Sequence, residues 1–250
     1  MEITVFKNHE GSFDHINARS KISGTSGLWN TITSIDIDND GDMDLLGGNI
    51  GLNNFYTSTM KILINDFDNN GASEQIICEE INNKLYPIHD LDEMFSQMPI
   101  LKKKYTFYNE FARATLSDLF EDEVINSSLI MDLEELESIL LLNNNGSFTK
   151  QALPREIQYS SVHSFKFYRD PQDKLHLICG GNNFKIKPQF GKQDASLGWY
   201  LQVNTGDKIT FDGIRPLFVK GQIRDIEQWN DKLVFGINND SIRIMNLVYE

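Results

Sequence analysis

Five acidic residues alternate along one short segment, at a spacing suited to binding a metal ion. Counted from the first acid as position 1, they occupy positions 1, 3, 5, 7 and 9, as Asp36, Asp38, Asp40, Asp42 and Asp44. Gly41, at position 6, permits the positive-φ turn that a tightly curled loop requires. Oxygen ligands converging from one loop suit Ca²⁺, which takes about six to eight oxygens. We predict a calcium site formed by the side chains of Asp36, Asp38, Asp40 and Asp44 and the backbone carbonyl of Asp42.

The flanks of this loop distinguish it from an EF-hand. An EF-hand carries a bidentate glutamate at position 12 and helices on both sides. Here position 12 is Gly47, and the flanks read as strands, with β-branched residues from Thr31 to Ile35 and an apolar run at Leu45-Leu46. The alternative is an Asp- and Asn-rich hairpin turn that binds no metal. Five acids within nine residues would then repel one another without a neutralising cation.

A second copy of the loop follows about thirty residues later in the sequence. Its predicted ligands at positions 1, 3, 5, 7 and 9 are Asp66, Asp68, Asn70, the backbone of Ala72, and Glu74. Gly71 again occupies position 6. Because Asn70 carries no charge, we expect this loop to bind Ca²⁺ more weakly than the first.

The composition limits the classes of partner. The 250 residues contain 23 Lys and Arg against 36 Asp and Glu, which gives a net charge of −13. This balance argues against a nucleic acid or an anionic membrane as the partner. No apolar stretch reaches transmembrane length, so we expect no insertion into a membrane. The two cysteines, Cys78 and Cys179, lie in apolar strand-like runs and are expected to be buried free thiols.

Short strands and glycine turns recur through the chain, which predicts an all-β fold of the repeat type. Strand–loop–strand units are expected near residues 31–49, 62–79, 161–182 and 221–238, and only the first two keep the acidic loop. The predicted architecture is a partial, open β-propeller of about four blades that spans residues 1–250. Apolar residues recur at helical spacing between residues 90 and 137, so we predict a helical insertion there.

The DxDxDGxxD loop after a strand resembles the FG-GAP or VCBS repeat, which is also found in the propellers of integrin α-chains. Other stretches resemble the Bacteroidetes VCBS-repeat proteins that are similar to ASPIC/UnbV and cartilage acidic proteins. These stretches are Gly27–Asn30, Tyr86–Ile88, Pro99–Lys104, Gly180–Phe184, Lys187–Gly191, Asp194–Ser196 and Gly221–Ile226.

The resemblance implies a calcium-binding propeller in a secreted or surface-exposed protein, associated with the outer membrane. It places calcium ligands at all ten positions of the two loops and adds no catalytic residue. It also implies that the chain is a C-terminal segment of a longer protein and that other blades of that protein are among its partners. The opening strand Thr4–Asn8 is accordingly expected to pair with strands that precede it.

Two classes of function fit these features. The first is a non-enzymatic, calcium-stabilised propeller that mediates adhesion by binding a surface protein or a glycan. The alternative is the propeller scaffold of a carbohydrate-active enzyme whose catalytic residues lie outside the chain or are unrecognised within it. The five histidines show no zinc or triad spacing. Six aromatic residues could stack on sugar rings, and they are Trp29, Tyr56, Phe184, Phe190, Trp199 and Tyr200. Most of them are expected to fill the core instead.

Overall fold

The protein is all-β, and its strands pair only in an antiparallel sense within the residues described here. The computed structural model describes residues 1–206 and 208–248. In these ranges the strands are β1 (Phe6–His9), β2 (Ser12–His15), β3 (Thr31–Ile35), β4 (Asp44–Gly48), β5 (Met60–Asn65), β6 (Glu74–Ile81), β7 (Lys84–Pro87), β8 (Leu129–Asp132), β9 (Ile139–Asn144), β10 (Ser147–Ala152), β11 (Val162–Arg169), β12 (Leu175–Gly181), β13 (Trp199–Asn204), β14 (Thr210–Pro216), β15 (Ile223–Trp229), β16 (Lys232–Ile237) and β17 (Arg243–Asn246).

The helices are short. The α-helices are α1 (Asn17–Ser20), α2 (Leu91–Gln97), α3 (Tyr108–Phe111), α4 (Leu116–Leu119) and α5 (Asp122–Asn126), and the 3₁₀ turns are Pro99–Lys103, Ile157–Tyr159 and Pro188–Phe190. Asp90 begins α2 as an N-cap, because its side chain accepts a hydrogen bond from the backbone N–H of Glu93. Among the described residues, no helix has the length and apolar character needed to cross a membrane.

The chain divides into two compact units, residues 1–55 with 136–250, and residues 56–135. The first unit contains the β1–β2 hairpin and three larger sheets. Sheet I has the order β3-β4-β9-β10, sheet II has the order β11-β12-β13-β14, and sheet III has the order β15-β16-β17. In each of these three sheets the strands lie side by side in chain order.

The apolar cores of the first unit lie between successive sheets. Leu46 and Leu140 of sheet I belong to one buried cluster with Leu177 and Leu201 of sheet II. On the other face of sheet II, Ile178 is clustered with buried residues of sheet III such as Phe235. Face-to-face stacking of sheets buries both faces of sheet II, which explains why every residue of β12 is buried.

The second unit combines one sheet with helices. Its sheet has the order β7-β6-β5-β8. Leu63 and Ile76 of this sheet are buried in a cluster with helical residues that include Leu91 and Met94. The apolar residues that recur at helical spacing in the sequence therefore lie on the faces of the helices that pack within this unit. Phe107 departs from that pattern, since it is 63% exposed just before α3.

The second unit is inserted between two neighbouring strands of sheet I. β4 pairs with β9, so the chain leaves sheet I after β4 and returns to it after residue 135. The helices occupy residues 91–126, and β8 lies inside the range 90–137 that the sequence assigns to helices. The connection between β4 and β9 is thus longer than the predicted insertion and includes the hairpin of the second acidic loop.

The opening strand pairs within the chain. β1 forms a two-stranded antiparallel sheet with β2, in which Phe6 lies opposite His15. The strand expected at residues 4–8 is found at residues 6–9.

Candidate metal centre

The first acidic loop joins β3 to β4 and is closed by its own carboxylates. Asp36 accepts hydrogen bonds from the backbone N–H groups of Asp40 and Gly41, at 3.1 Å each. Asp40 in turn accepts a hydrogen bond from the N–H of Asp42 at 2.8 Å. Asn39 and Gly41 have positive φ angles, 59° and 96°, which let the chain curl around the carboxylates.

The second acidic loop joins β5 to β6 and repeats this conformation. Asp66 accepts hydrogen bonds from the N–H groups of Asn70 and Gly71, at 2.9 and 2.8 Å. The Asn70 side chain accepts one from the N–H of Ala72 at 2.8 Å. The positive φ angles recur at the equivalent positions, 57° at Asn69 and 88° at Gly71. The two loops therefore share one hydrogen-bond pattern, although their sequences differ at positions 2, 5, 7, 8 and 9.

Three carboxylates converge in each loop. In the first loop, oxygens of Asp36, Asp38 and Asp40 all lie within 4.8 Å of one another. In the second loop, the same holds for oxygens of Asp66, Asp68 and Glu74. Of the other predicted ligands, Asn70 and Ala72 are exposed, Asp42 is half-buried, and Asp44 is buried at the base of its loop.

Asp44 supports the backbone on both sides of the first loop. Its Oδ2 accepts a hydrogen bond from the N–H of Ile37 at 2.9 Å, and its Oδ1 accepts one from the N–H of Asn143 at 2.7 Å. Burial raises the pKa of Asp44, and the charges of Asp38 and Asp40 act in the same direction, against the lowering effect of the two hydrogen bonds. In the second loop, Glu74 Oε2 accepts the N–H of Phe67 at 2.9 Å, which is the equivalent of the bond to Ile37.

One carboxylate oxygen of the second loop has no donor. Oδ1 of Asp68 is buried, and no hydrogen-bond partner for it occurs among the described residues. An ionised carboxylate oxygen is an acceptor only, and leaving one buried without a donor is costly. A cation beside Asp66, Asp68 and Glu74 would remove this cost.

The chemistry of the donor set favours Ca²⁺ over softer metals. Every candidate ligand is a carboxylate, amide or backbone oxygen, and no sulfur or imidazole belongs to the two converging groups. Hard oxygen donors in an adaptable loop suit Ca²⁺. The residues therefore fit the ion that the sequence predicts.

The equivalent turn of sheet II carries a hydrogen-bonded Asp–His pair in place of an acidic cage. Asp170 Oδ2 lies 2.9 Å from His176 Nε2, and the hydroxyl of Tyr200 lies 2.8 Å from His176 Nδ1. The His176 ring is stacked against Tyr168 and Tyr200, with ring centroids 4.9 and 5.4 Å away. Burial would raise the pKa of Asp170, but hydrogen bonds from His176, Lys174 and Gln172 outweigh it and hold that pKa below its ordinary value. The enclosed imidazole fixes the turn.

Contacts to distant segments hold the first loop, and no local pattern in the sequence predicts them. Asp42 Oδ2 accepts a hydrogen bond from the N–H of Asn145 at 2.6 Å, and the Asn143 side chain donates one to the Met43 carbonyl at 3.1 Å. From the turn of sheet II, Arg169 donates to the side-chain oxygen of Asn39 at 3.1 Å. These residues lie about a hundred positions or more from the loop, and only the pairing of the strands brings them close.

Some of the aromatic residues considered as sugar platforms have other roles. Trp199 is 8% exposed and belongs to the core between sheets I and II. Phe190 is stacked on Phe55, with ring centroids 4.7 Å apart. The ring of Phe184 makes a cation–π contact with Lys192, whose Nζ lies 4.0 Å from the ring centroid.

No protein-family model matches the sequence. No curated protein matches it either.

Proposed function

We propose that this protein is a calcium-binding, non-enzymatic β-propeller segment that presents a binding surface to a protein or glycan outside the cell. The observation that carries the calcium assignment is the buried Oδ1 of Asp68, which lacks a hydrogen-bond donor among the described residues and lies in a converging carboxylate group. The first loop has the same conformation and one more acid at position 5, so the proposal extends to it.

The ion is expected to act as a structural tie. In each loop it would join the end of one strand to the start of the next and neutralise carboxylates that otherwise repel. Asp36, Asp38 and Asp40 would hold it in the first loop, and Asp66, Asp68 and Glu74 in the second. The bound ion supplies a divalent positive charge, and the protein supplies the oxygens and the loop conformation.

The propeller assignment is supported by the sheets of the first unit. Sheets I and II each have four antiparallel strands in chain order, and sheet III has three. Each sheet packs its apolar face on the next. β11 contacts both β3 and β15, so the first strand of sheet II lies beside the first strands of its neighbours. Sheets that stack in this way are the building blocks of β-propellers.

Partner binding is supported by an open pocket of about 780 Å³ in the first unit. Its lining combines aromatic and charged side chains, among them Phe184, Phe218, Lys192, Asp194 and Arg243. Phe218 is 72% exposed and has a φ of 57°, an uncommon angle for a bulky residue. Exposed aromatic residues beside charged ones are typical of surfaces that bind glycans or proteins.

Calorimetry with Ca²⁺ and Mg²⁺ tests the metal assignment. We expect heat on adding Ca²⁺, weaker or absent binding of Mg²⁺, and loss of Ca²⁺ binding in the double variant Asp36→Ala/Asp66→Ala. Asp231→Ala, which removes an exposed acid outside both loops, should bind like the parent. Equal affinity for the two ions, or unchanged binding by the double variant, would overturn the assignment.

A glycan array tests the binding role, and polysaccharide digestion tests the non-enzymatic one. We expect retention of particular glycans or of a surface protein, without new reducing ends or unsaturated products. Turnover of any polysaccharide would establish the alternative, a carbohydrate-active enzyme.

A further inference from the structure

A polar cleft of about 480 Å³ lies where the first strands of sheets I, II and III meet. It opens between β3, β11 and β15. Hydroxyl and charged side chains dominate its lining, which includes Thr31, Thr33, His163, Lys166, Arg224 and Glu227. A cleft with convergent polar groups is a standard form of binding site.

Two β-bulges place side chains in this cleft. The register of β11 against β12 shifts between Val162 and Ser164, which leaves His163 as the extra residue. The register of β15 against β16 shifts between Ile223 and Asp225, which leaves Arg224 as the extra residue. Bulges redirect a side chain at the expense of regular pairing and are frequent beside functional sites. The same irregularity in two neighbouring strands brings an imidazole and a guanidinium into one cleft.

Arg224 is fixed in place and retains hydrogen-bonding capacity. Its Nη1 donates to the carbonyl oxygens of Asn182 and Ile223, at 2.9 and 3.1 Å, and its Nη2 donates to Gln222 Oε1 at 3.0 Å. These bonds use three of the five N–H groups of a guanidinium. The described residues provide no acceptor for its Nε–H or for the second hydrogen on Nη2. The side chain is therefore preorganised, with two donors to offer.

His163 is the second donor in the cleft. Its Nε2 is buried and has no hydrogen-bond partner among the described residues. Burial, with a further effect from the charge of Arg224, lowers the pKa of His163 to about 4, so the ring is neutral at pH 7. A neutral imidazole carries one N–H, which can be placed on Nε2. A ligand with an acceptor atom would satisfy this buried nitrogen.

The combined donors and acceptors define the chemistry of the ligand. The guanidinium and the imidazole N–H suit a carboxylate, which accepts several hydrogen bonds. Thr31 and Thr33 provide hydroxyl groups, and the carboxylates of Asp225 and Glu227 can accept hydrogen bonds from ligand hydroxyls. Glu227 is held by an ion pair with Lys166. A ring that carries one carboxylate and several hydroxyl groups matches both the cationic and imidazole donors and the hydroxyl and carboxylate side chains of the cleft.

We propose that this cleft binds a uronic acid residue, with its carboxylate on Arg224 and His163 and its hydroxyl groups toward Thr31, Thr33 and the acidic side chains. The inference rests on the proposed glycan-binding role and adds a second site, with a ligand class, to the pocket described above.

Titration calorimetry with glucuronate and galacturonate tests the inference, and glucose and galactose serve as matched neutral ligands. We expect binding of at least one uronate and at least tenfold weaker binding of the corresponding hexose. His163→Asn and the isosteric Thr33→Val should each weaken uronate binding at least threefold. Arg155→Gln, which alters an exposed arginine outside the cleft, should leave it unchanged.

Further measurements distinguish a uronate site from sites for other ligands and from the calcium site. An acidic peptide that binds while both uronates fail would overturn it in favour of a protein partner. Equal binding of acetate or sulfate and of uronates would also overturn it, since the hydroxyl groups would contribute nothing. Arg224→Lys provides a further variant, with circular dichroism and Ca²⁺ titration as checks on folding. If the protein binds Ca²⁺ but neither uronate, only the cleft proposal is refuted. If it binds a uronate but not Ca²⁺, only the metal site is refuted.

Discussion

The carboxylate of Asp44 lies 2.7 Å from the backbone nitrogen of Asn143, a residue 99 positions later in the chain. The other oxygen of the same carboxylate accepts the N–H of Ile37. One fully buried side chain thus joins the end of the acidic loop to the second residue after β3 and to β9. The last acid of the loop has a role in folding that is separate from any contact with a metal ion.

Asp44→Ala is therefore expected to destabilise the protein even without calcium. The substitution leaves two backbone N–H groups without an acceptor, and we expect a loss of about 2–4 kcal/mol in the free energy of unfolding. Urea denaturation in the presence of a chelator measures this change in the free energy of unfolding. Asp40→Ala is the matched control, because Asp40 is exposed, and it should lose less than about 1 kcal/mol under the same conditions. Equal effects of the two substitutions would show that the buried hydrogen bonds of Asp44 are unimportant.

The charge at position 5 is expected to set the calcium affinity of each loop. Asn70→Asp adds a carboxylate to the second loop and should tighten its binding by on the order of tenfold, and Asp40→Asn should weaken the first loop to a similar extent. Each change is measured by chelator competition in a chain whose other loop is disabled, by Asp36→Ala or Asp66→Ala respectively. An unchanged affinity after Asn70→Asp would mean that this side chain does not face the ion.

The strands and the acidic loops follow from local features of the sequence. Each segment predicted as a strand–loop–strand unit forms an antiparallel hairpin, because the alternation of side chains and the turn residues act over a few positions. The curl of both loops follows in the same way from Gly41 and Gly71 at position 6.

Pairings between distant segments had no comparable local signal. β4 and β9 are separated by the whole of residues 56–135, and nothing in either strand indicates the partner. The bulges at His163 and Arg224 were missed for the same reason, since a register shift is a property of two strands together. In the first loop, the hydrogen bonds from Asn143 and Asn145 depend on that distant pairing as well.

Gly181 is expected to tolerate no side chain. A Cβ at this position would lie 1.8 Å from the carbonyl oxygen of Ser161, an impossible distance, and a backbone atom cannot move aside cheaply. Gly181→Ala should lower the free energy of unfolding by about 3 kcal/mol or more, or prevent folding. Gly206→Ala is the control, because a Cβ there meets no atom within 4 Å, and it should stay within about 0.5 kcal/mol of the parent. Thermal denaturation compares the variants, and a stable Gly181→Ala protein would contradict the observed approach of the two segments.

The half-buried ring of His163 predicts a loss of stability in mild acid. Its pKa is about 4 in the folded protein, against an ordinary value of 6.5, because burial and then the charge of Arg224 disfavour the protonated ring. Between these two pH values the unfolded chain binds a proton that the folded protein does not. The free energy of unfolding should therefore fall as the pH drops from about 6.5 to about 4.

Denaturation at pH 7 and pH 4.5 measures this contribution by difference. Over this range we expect the free energy of unfolding of His163→Asn to fall by about 1–2 kcal/mol less than that of the parent. This value is smaller than the full pKa shift would give, because the ring is only partly buried and solvent screens its charge. His15→Asn is the control, since the His15 side chain is exposed, and its pH dependence should match that of the parent. The measurement requires a chelator, so that acid release of calcium from the loops does not contribute. If His163→Asn and the parent lose the same free energy, the pKa of His163 is not lowered in the folded protein.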